Sequence, residues 1–262
     1  KMRYPRMTVK AGTYHVPSAV TAADIAERVI AGMPRPEMNV TMIEGWTIQD
    51  IVMQLSEKGF RITEQDFVIS DDMRDRFTFL KDVGDGKNLE GYLFPDTYQL
   101  FSDATPSEII EKMLSTFDKR VTRELRDAAK ARQLSLNEVV TLASIIEREV
   151  QTEADRRIVA DLFLRRLDIG MALQADSTVN YVTGKKTPSA SAADIRVDSA
   201  YNTYRYKGLP PGPIGNPGLS AIKAVIVPQP NEYMFFLTTP KGKAIYSKTF
   251  EEHVRNKGVY LR

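Results

Sequence analysis

A glutamate inside an apolar helix is the residue of this chain best suited to do chemistry. Residues 142–151 read Leu-Ala-Ser-Ile-Ile-Glu-Arg-Glu-Val-Gln, and Glu147 interrupts their apolar run. Stripping a carboxylate of water is costly unless the group is paired, hydrogen-bonded or protonated. Folding gains nothing from placing a carboxylate there, so a role as proton donor or acceptor becomes the leading hypothesis.

The helical period places Glu147 on an apolar face. Ser135-Leu-Asn-Glu138 has the Ser-x-x-Glu form of a capping box, which predicts that the helix begins there. A helix that is apolar over most of its circumference is usually buried. An alternative stays open, in which Glu147 only pairs with an arginine such as Arg156 or Arg157. At about 100° per residue, the positions within roughly 60° of Glu147 are Leu136, Val140, Ala143 and Val150.

Composition excludes several classes of function. The chain has 262 residues and a net charge of +2, with basic residues scattered rather than clustered, so nucleic acid is not an expected partner. There are no cysteines, which excludes disulfides and thiolate metal sites. His15 and His253 are far apart, and we expect neither a metal nor a cofactor. No apolar run approaches the roughly 18 residues that span a bilayer.

The first part of the chain predicts a small β-α-β-α module. Residues 7–9 and 38–43 are the predicted strands, and residues 21–30 and 47–55 are the predicted helices, the second ended by Gly59. We place the module boundary near residue 80. The remaining chain mixes helices and strands, so the expected fold class is α+β.

Beyond the boundary, a helix with a possible break is expected over residues 106–133. After the Glu147 helix, another should run from Thr152 to a stop at Gly170. Two strands over residues 233–238 and 243–247, turned at Pro240-Lys-Gly242, should precede a terminal helix that begins near Phe250.

Three further segments have patterns that suit a carbohydrate ligand. The aromatic-rich run Glu90–Tyr98 could form a sugar-facing wall, or simply pack in the core. Gln174 and Asp176 would share one face of a strand, or else belong to a turn with a local Asp cap. The loop 201–218 holds four prolines and four glycines, so it is stiff and irregular. It would present polar groups to a polyhydroxylated ligand, or serve only as a structural crossover. Those groups belong to Asn202, Thr203, Tyr204 and Asn216.

The order of these segments resembles the YceG-like (MltG) family of endolytic murein transglycosylases, with a strong match over about residues 85–240. The first module is similar to the family's LysM-like subdomain. The resemblance therefore implies a LysM-like, peptidoglycan-binding module over residues 1–80 and a catalytic domain over residues 81–262. The matching motifs are Glu90-Gly-Tyr-Leu-Phe-Pro-Asp-Thr-Tyr98, Ala143-Ser-Ile-Ile-Glu147-Arg-Glu149, Arg166-Leu-Asp-Ile-Gly-Met-Ala-Leu-Gln174-Ala-Asp176, Tyr201-Asn-Thr-Tyr204 and Gly208-Leu-Pro-Pro-Gly-Pro-Ile-Gly-Asn-Pro-Gly218.

By this resemblance Glu147 is the catalytic residue. The reaction implied is cleavage of the β-1,4 bond between N-acetylmuramic acid and N-acetylglucosamine inside a glycan strand, by attack of the sugar's own C6 hydroxyl. The product is a 1,6-anhydro end, and one acid/base residue suffices because water need not be activated. The matched positions expected around the substrate are Glu149, Gln174, Asp176, Asn202, Tyr204 and Asn216.

Two other functions remain open. A lysozyme-like muramidase would need a second carboxylate near Glu147, with Glu149 or Asp176 as candidates. A non-catalytic peptidoglycan-binding scaffold would bind glycan without cleaving it. The resemblance also implies a single-pass anchor in the inner membrane ahead of this chain, a catalytic domain on the periplasmic side, and cell-wall synthases as partners.

Overall fold

The computed structural model describes residues 35–84, 87–185, 187 and 189–261, together with Thr21 and Ala23. Over these residues the fold is α+β, with helices around one apolar core and two small antiparallel sheets. The strands are β1 (Glu37–Thr41), β2 (Thr97–Phe101), β3 (Phe235–Thr238) and β4 (Ala244–Ser247). The α-helices are α1 (Ile48–Glu57), α2 (Asp71–Arg76), α3 (Pro106–Arg120), α4 (Arg123–Ala131), α5 (Leu136–Glu149), α6 (Glu153–Asp168), α7 (Asp176–Thr183), α8 (Leu219–Ile226) and α9 (Phe250–Tyr260).

The N-terminal segment is joined to the rest of the chain by a sheet. Strand β1 pairs antiparallel with β2, with Glu37 opposite Phe101 and Thr41 opposite Thr97. Helix α1 begins after Thr47, whose capping box with Asp50 confirms the predicted start. The predicted strand 7–9 lies outside the described residues, and so does the predicted helix 21–30 apart from Thr21 and Ala23. The LysM-like character of the module is not confirmed, and the division at residue 80 stays a prediction.

Helix α5 runs through the centre of the molecule and begins at the predicted capping box. The Ser135 side chain accepts from the backbone N of Glu138, and the Glu138 carboxylate accepts from the backbone N of Ser135. Even the polar side of the helix is covered, because the loop 208–218 lies across it. The backbone N of Ile214 donates to Ser144 Oγ at 3.0 Å. Helices α6 and α8 pack against α5.

The aromatic segment 90–98 packs in the core, which is one of the two uses that the sequence left open for it, and it does not form a sugar-facing wall. Tyr92, Phe94 and Tyr98 are all buried. The Tyr92 ring lies against Phe79 and Phe117, with centroid distances of 6.1 and 5.4 Å. Burying this much ring area stabilises the fold more than exposing it for stacking would.

Other predicted elements are confirmed. The helix expected over residues 106–133 is broken between α3 and α4 at Val121 and Thr122, and the C-terminal hairpin and helix form as expected. By contrast, Asp176 does not sit in an extended strand but opens α7. None of the helices in the described part of the chain is both long and apolar enough to cross a membrane.

Gly91 joins the aromatic segment to the loop at a point of close approach. Its φ is +90°, and a Cβ there would lie 2.5 Å from Pro213 Cγ and 2.8 Å from Val140 Cγ1. We expect Gly91→Ala to lower the free energy of unfolding by about 2–4 kcal/mol, through backbone strain and overpacking together. Gly170 has a φ of +64° and open space around it, so Gly170→Ala should lower the free energy of unfolding through backbone strain alone. Urea denaturation compares the two, and equal losses would contradict a packing role for Gly91.

Candidate active site

Glu147 lies in the last turn of α5, at the start of α8. Its side chain is only 4% exposed. Glu147 Oε2 accepts a hydrogen bond from the backbone N of Gly218 at 3.0 Å. Gly218 is the N-cap residue of α8, so the carboxyl faces the positive end of that helix dipole. The loop 208–218 therefore both covers the carboxyl and supplies one of its hydrogen-bond donors.

Arg156 on α6 supplies the second donor. Its Nη2 donates to Glu147 Oε1 and lies 3.9 Å from Glu44 Oε2, in the turn that follows β1. The Arg156 side chain is 11% exposed, whereas that of Glu44 is 50% exposed. The ion pair that the sequence left open is thus present. This ion pair does not decide whether the role of Glu147 is structural or chemical, because the carboxylate of Glu44 also lies near the Arg156 guanidinium.

The pKa of Glu147 is raised above its ordinary value. Burial is the main cause, because the ionised form loses hydration, and the negative charge of Glu44 acts in the same direction. The charge of Arg156 and the hydrogen bond from Gly218 oppose the rise without cancelling it. The carboxyl therefore keeps its proton to a higher pH than an exposed glutamate would.

Two chain segments meet beside Glu147 at glycines. The backbone N of Gly45 donates to Asn216 O at 2.8 Å, and the backbone N of Asn216 donates to Trp46 O at the same distance. A Cβ on Gly215 would lie 2.7 Å from Gly45 O. Only glycine allows this approach, which brings Glu44 to the Glu147 carboxyl.

Asn216 is buried, and its side chain joins three segments of the chain. Its Nδ2 donates to Trp46 O at 2.9 Å and to Glu90 Oε1 at 3.1 Å, while its Oδ1 accepts from the backbone N of Leu93 at 2.9 Å. Its side chain thus holds the loop 208–218 against both the α1 segment and the aromatic segment.

Glu90 is a second buried carboxyl, which the sequence did not single out. Both of its oxygens accept from the backbone N of Ile48, at the start of α1, at 3.2 Å. Burial raises the pKa of Glu90 to about 8. Glu90, Arg148 and Tyr181 border a pocket of about 320 Å³, which Glu147 does not line. This pocket is therefore a neighbour of the Glu147 site and not the site itself.

The other predicted site residues form a separate cluster around the start of α7. Glu149 Oε1 accepts from Ser177 Oγ at 2.7 Å, and Asp176 Oδ1 accepts from the Tyr204 hydroxyl at 2.7 Å. Burial raises the pKa of Glu149. Positions 147 and 149 are about 200° apart around α5, so their side chains leave the helix on different sides.

Asn202 and Gln174 differ in accessibility. Asn202 is buried, and its Nδ2 donates to the carbonyls of Ile195 and Val197 at 3.0 and 2.8 Å. Gln174 is exposed, with a φ of +54° just ahead of α7. Among the six positions expected around the substrate, Gln174 is accessible, Asp176, Tyr204 and Glu149 are partly buried, and Asn202 and Asn216 are buried. The side chains of the two asparagines make hydrogen bonds within the protein, and a role of either one in binding substrate stays a prediction.

The family model described as YceG-like family matches residues 1–258. The chain belongs to the YceG-like family. It is 32% identical to a protein of Bacillus subtilis (strain 168) named endolytic murein transglycosylase, over 96% of this chain and 73% of that protein. It is 30% identical to a protein of the same name from Streptococcus pneumoniae (strain D39), over 95% of this chain and 50% of that protein.

A solved structure also resembles this YceG-like chain. The crystal structure of a yceG-like protein from Listeria monocytogenes superposes with a TM-score of 0.74 at 30% sequence identity. The match covers 94% of this chain and 85% of the other. The fold described above is therefore that of a YceG-like protein.

Within the described residues, no three His, Asp or Glu side chains are grouped as a metal ion would need.

We expect Asn216→Ala to lower the free energy of unfolding by about 3 kcal/mol, because Leu93 N and Glu90 lose buried partners. Asn256→Ala is the control, since it removes one bond to Ser247 Oγ from a partly exposed amide. Urea denaturation measures both. An unchanged stability with a raised KM for glycan would instead make Asn216 a substrate ligand.

Glu90 should make stability depend on pH. The pKa of Glu90 is about 8 in the folded state against 4.5 for an ordinary glutamate, so the folded state binds more protons between these limits. The stability contribution of protonated Glu90 is present below pH 4.5 and is lost as pH rises to about 8. Glu90→Gln should reduce the fall in unfolding free energy between pH 5 and 8 by at least about 1 kcal/mol.

The exposed Glu64→Gln, at the rim of the same pocket, is the matched control and should leave the pH dependence unchanged. Parallel stability curves for wild type and Glu90→Gln would contradict a protonated Glu90.

Proposed function

We propose that this chain is an endolytic murein transglycosylase, with Glu147 as its single acid/base residue. One observation carries the proposal. Glu147 is a nearly dry carboxyl with a raised pKa, held by a helix N-terminus and an arginine where three segments of the chain meet. A general acid must carry its proton before the reaction begins, and a raised pKa favours that protonated form. The names of the curated relatives support the choice of peptidoglycan as substrate.

The reaction needs one proton to move out and one to return. Glu147 gives its proton to the glycosidic oxygen while the C1–O bond to the leaving sugar breaks. The C6 hydroxyl of the N-acetylmuramic acid residue forms the new C6–O–C1 bond and closes the 1,6-anhydro ring. Its proton passes to Glu147, which returns to its starting state. The attacking group is part of the substrate, so its effective concentration is high and no second carboxylate is required.

The two donors at Glu147 suit the ionised half of this cycle. Gly218 N and Arg156 Nη2 both donate to the carboxyl oxygens, and charge-assisted hydrogen bonds of this kind are stronger than neutral ones. They lower the free energy of the carboxylate that forms when the proton leaves. Before that step, burial favours the protonated form. Burial therefore acts on the protonated acid, and the two donors act on the carboxylate.

A muramidase remains the second candidate, and one contact favours it. Such an enzyme needs another carboxylate at the scissile bond. Glu149 and Asp176 are engaged with Ser177 and Tyr204 in the α7 cluster. Glu44 instead shares Arg156 with Glu147 and is half exposed, so a hydrolytic mechanism would use Glu44. Anhydro ends are lighter than hydrolysed ends by one water, so mass spectrometry of the products separates the two.

We also propose that the protein works at the outer side of the inner membrane through an anchor outside this chain, beside the synthases that make its substrate. The chain spans 50% of the streptococcal relative and 73% of the Bacillus one, so its relatives carry further sequence. Selective extraction of the full-length protein with the inner-membrane fraction would support the anchor.

Glu147→Gln should fold normally and lose at least about a hundredfold in the rate of anhydro-end release, since general acid catalysis contributes that much or more. Release is measured by mass spectrometry on purified glycan strands, and folding by thermal denaturation. The exposed Glu153→Gln, at the start of α6, is the control for the same chemical change. Anhydro-end release by Glu147→Gln at the wild-type rate would refute the assignment. Glycan binding by the wild type without any product would favour the scaffold.

A further inference from the structure

Glu147, Arg156 and Glu44 form a group of two carboxylates and one guanidinium. Arg156 Nη2 donates to Glu147 Oε1 and lies 3.9 Å from Glu44 Oε2, so this nitrogen is within ion-pair distance of both acids. With both acids ionised the group has a net charge of −1, and with Glu147 protonated it has a net charge of 0. Because Glu147 and Arg156 are largely buried, the balanced state is favoured.

Without Glu44, the charge balance of this group would favour ionised rather than protonated Glu147. Arg156 and Glu147 alone balance when Glu147 is ionised, which is the wrong state for a general acid at the start of the reaction. The negative charge of Glu44 acts against that outcome, and it is among the causes of the raised pKa of Glu147. Arg156 lowers the pKa of Glu147, and Glu44 opposes that effect, so Glu147 retains more readily the proton that the reaction needs.

The fold makes room for Glu44 at this point. A Cβ on Gly218 would lie 2.0 Å from Glu44 Oε1, so the Glu44 carboxylate occupies the space that the glycine leaves open. The same glycine donates its backbone N–H to Glu147. Glu44 thus contacts the N-cap residue of α8 and approaches the guanidinium, although it lies far before Glu147 in the sequence.

Other charged groups on the elements packed near Glu147 either have partners elsewhere or are exposed. Arg148 Nη1 donates to Ile214 O, and Arg157 Nε donates to Val227 O. Glu149 accepts from Ser177, Asp155 accepts from the Tyr246 hydroxyl, and Lys223 on α8 is exposed. The charge balance at Glu147 is accordingly set by Arg156 and Glu44.

We propose that Glu44 is a positioning residue of the reaction, which holds the Arg156 guanidinium while Glu147 is protonated and yields it to Glu147 when the proton leaves. This inference rests on the proposed function. Arg156 then stabilises the Glu147 carboxylate formed in mid-reaction, and it moves back toward Glu44 when the C6 proton reaches Glu147. The guanidinium needs only a small displacement, because both carboxylates already lie near the same Nη2.

The test is the pH dependence of kcat/KM for anhydro-end release by wild type, Glu44→Gln and Glu44→Asp, with the exposed Glu57→Gln as control. Loss of the Glu44 charge should lower the pKa of Glu147, so the basic limb of the Glu44→Gln profile should move down by about one pH unit. The rate would then fall about tenfold near neutral pH and recover in acid. Glu44→Asp should restore much of the wild-type profile, because it keeps the charge.

Titration of the Glu147 carboxyl by carbon-13 NMR, assigned from the signal missing in Glu147→Gln, gives a readout that does not need activity. Its midpoint should be lower in Glu44→Gln than in wild type. Superimposable midpoints and profiles would overturn the proposal. So would a uniform loss of rate at all pH values together with hydrolysed wild-type products, which would make Glu44 the second carboxylate of a muramidase. Absence of any wild-type product would count against the proposed function alone, and the NMR midpoints would still decide the role of Glu44.

Discussion

The structure is organised around a carboxyl group with very little access to water. Glu147 at the end of α5 has hydrogen bonds from Gly218 N and Arg156, and both donors are brought from other parts of the chain. A carboxylate in such a place is costly unless these donors are present. Their presence requires that the loop 208–218 lie across α5 and that α6 pack beside it. The chemistry of one residue thus constrains the course of the polypeptide around it.

The polar groups of that loop are used within the protein. Asn216 bonds to the α1 segment and to the aromatic segment, and Ser144 on α5 accepts from the backbone N of Ile214. A loop rich in proline and glycine makes few backbone hydrogen bonds of its own, so buried side-chain amides take their place. Residues that look suited to bind sugar hydroxyl groups are for this reason the ones that hold the loop in position.

Two opposing requirements meet at Glu147. A general acid must begin protonated, whereas the transition state gains from stabilisation of the carboxylate that is forming. Burial and the charge of Glu44 serve the first requirement, and Arg156 with Gly218 N serves the second. A site with Arg156 alone would stabilise the product of proton transfer from the outset. The pairing of one guanidinium with two carboxylates is a physical way to satisfy both requirements in turn.

The sequence by itself determined the features that depend on near neighbours. The start of α5 at Ser135, the start of α1 after Thr47 and the β3–β4 hairpin were predicted from caps and periodicity, because each depends on residues a few positions away. It also marked Glu147, since a charge on an apolar helical face is visible in the residue pattern. It could not say whether the aromatic segment faced ligand or core, because aromatic rings serve both uses equally well.

Only the tertiary structure decided what surrounds Glu147. The Gly218 contact joins positions 71 residues apart, and the Asn216 bond to Trp46 joins positions 170 apart. Contacts at such separations leave no periodic signal, because the intervening chain can fold in many ways without changing the local pattern. Nothing in the sequence around Glu44 distinguishes it from any other glutamate. It lies beside the candidate acid because strand β1 pairs with β2, and because glycines at positions 45, 215 and 218 let the backbones approach closely.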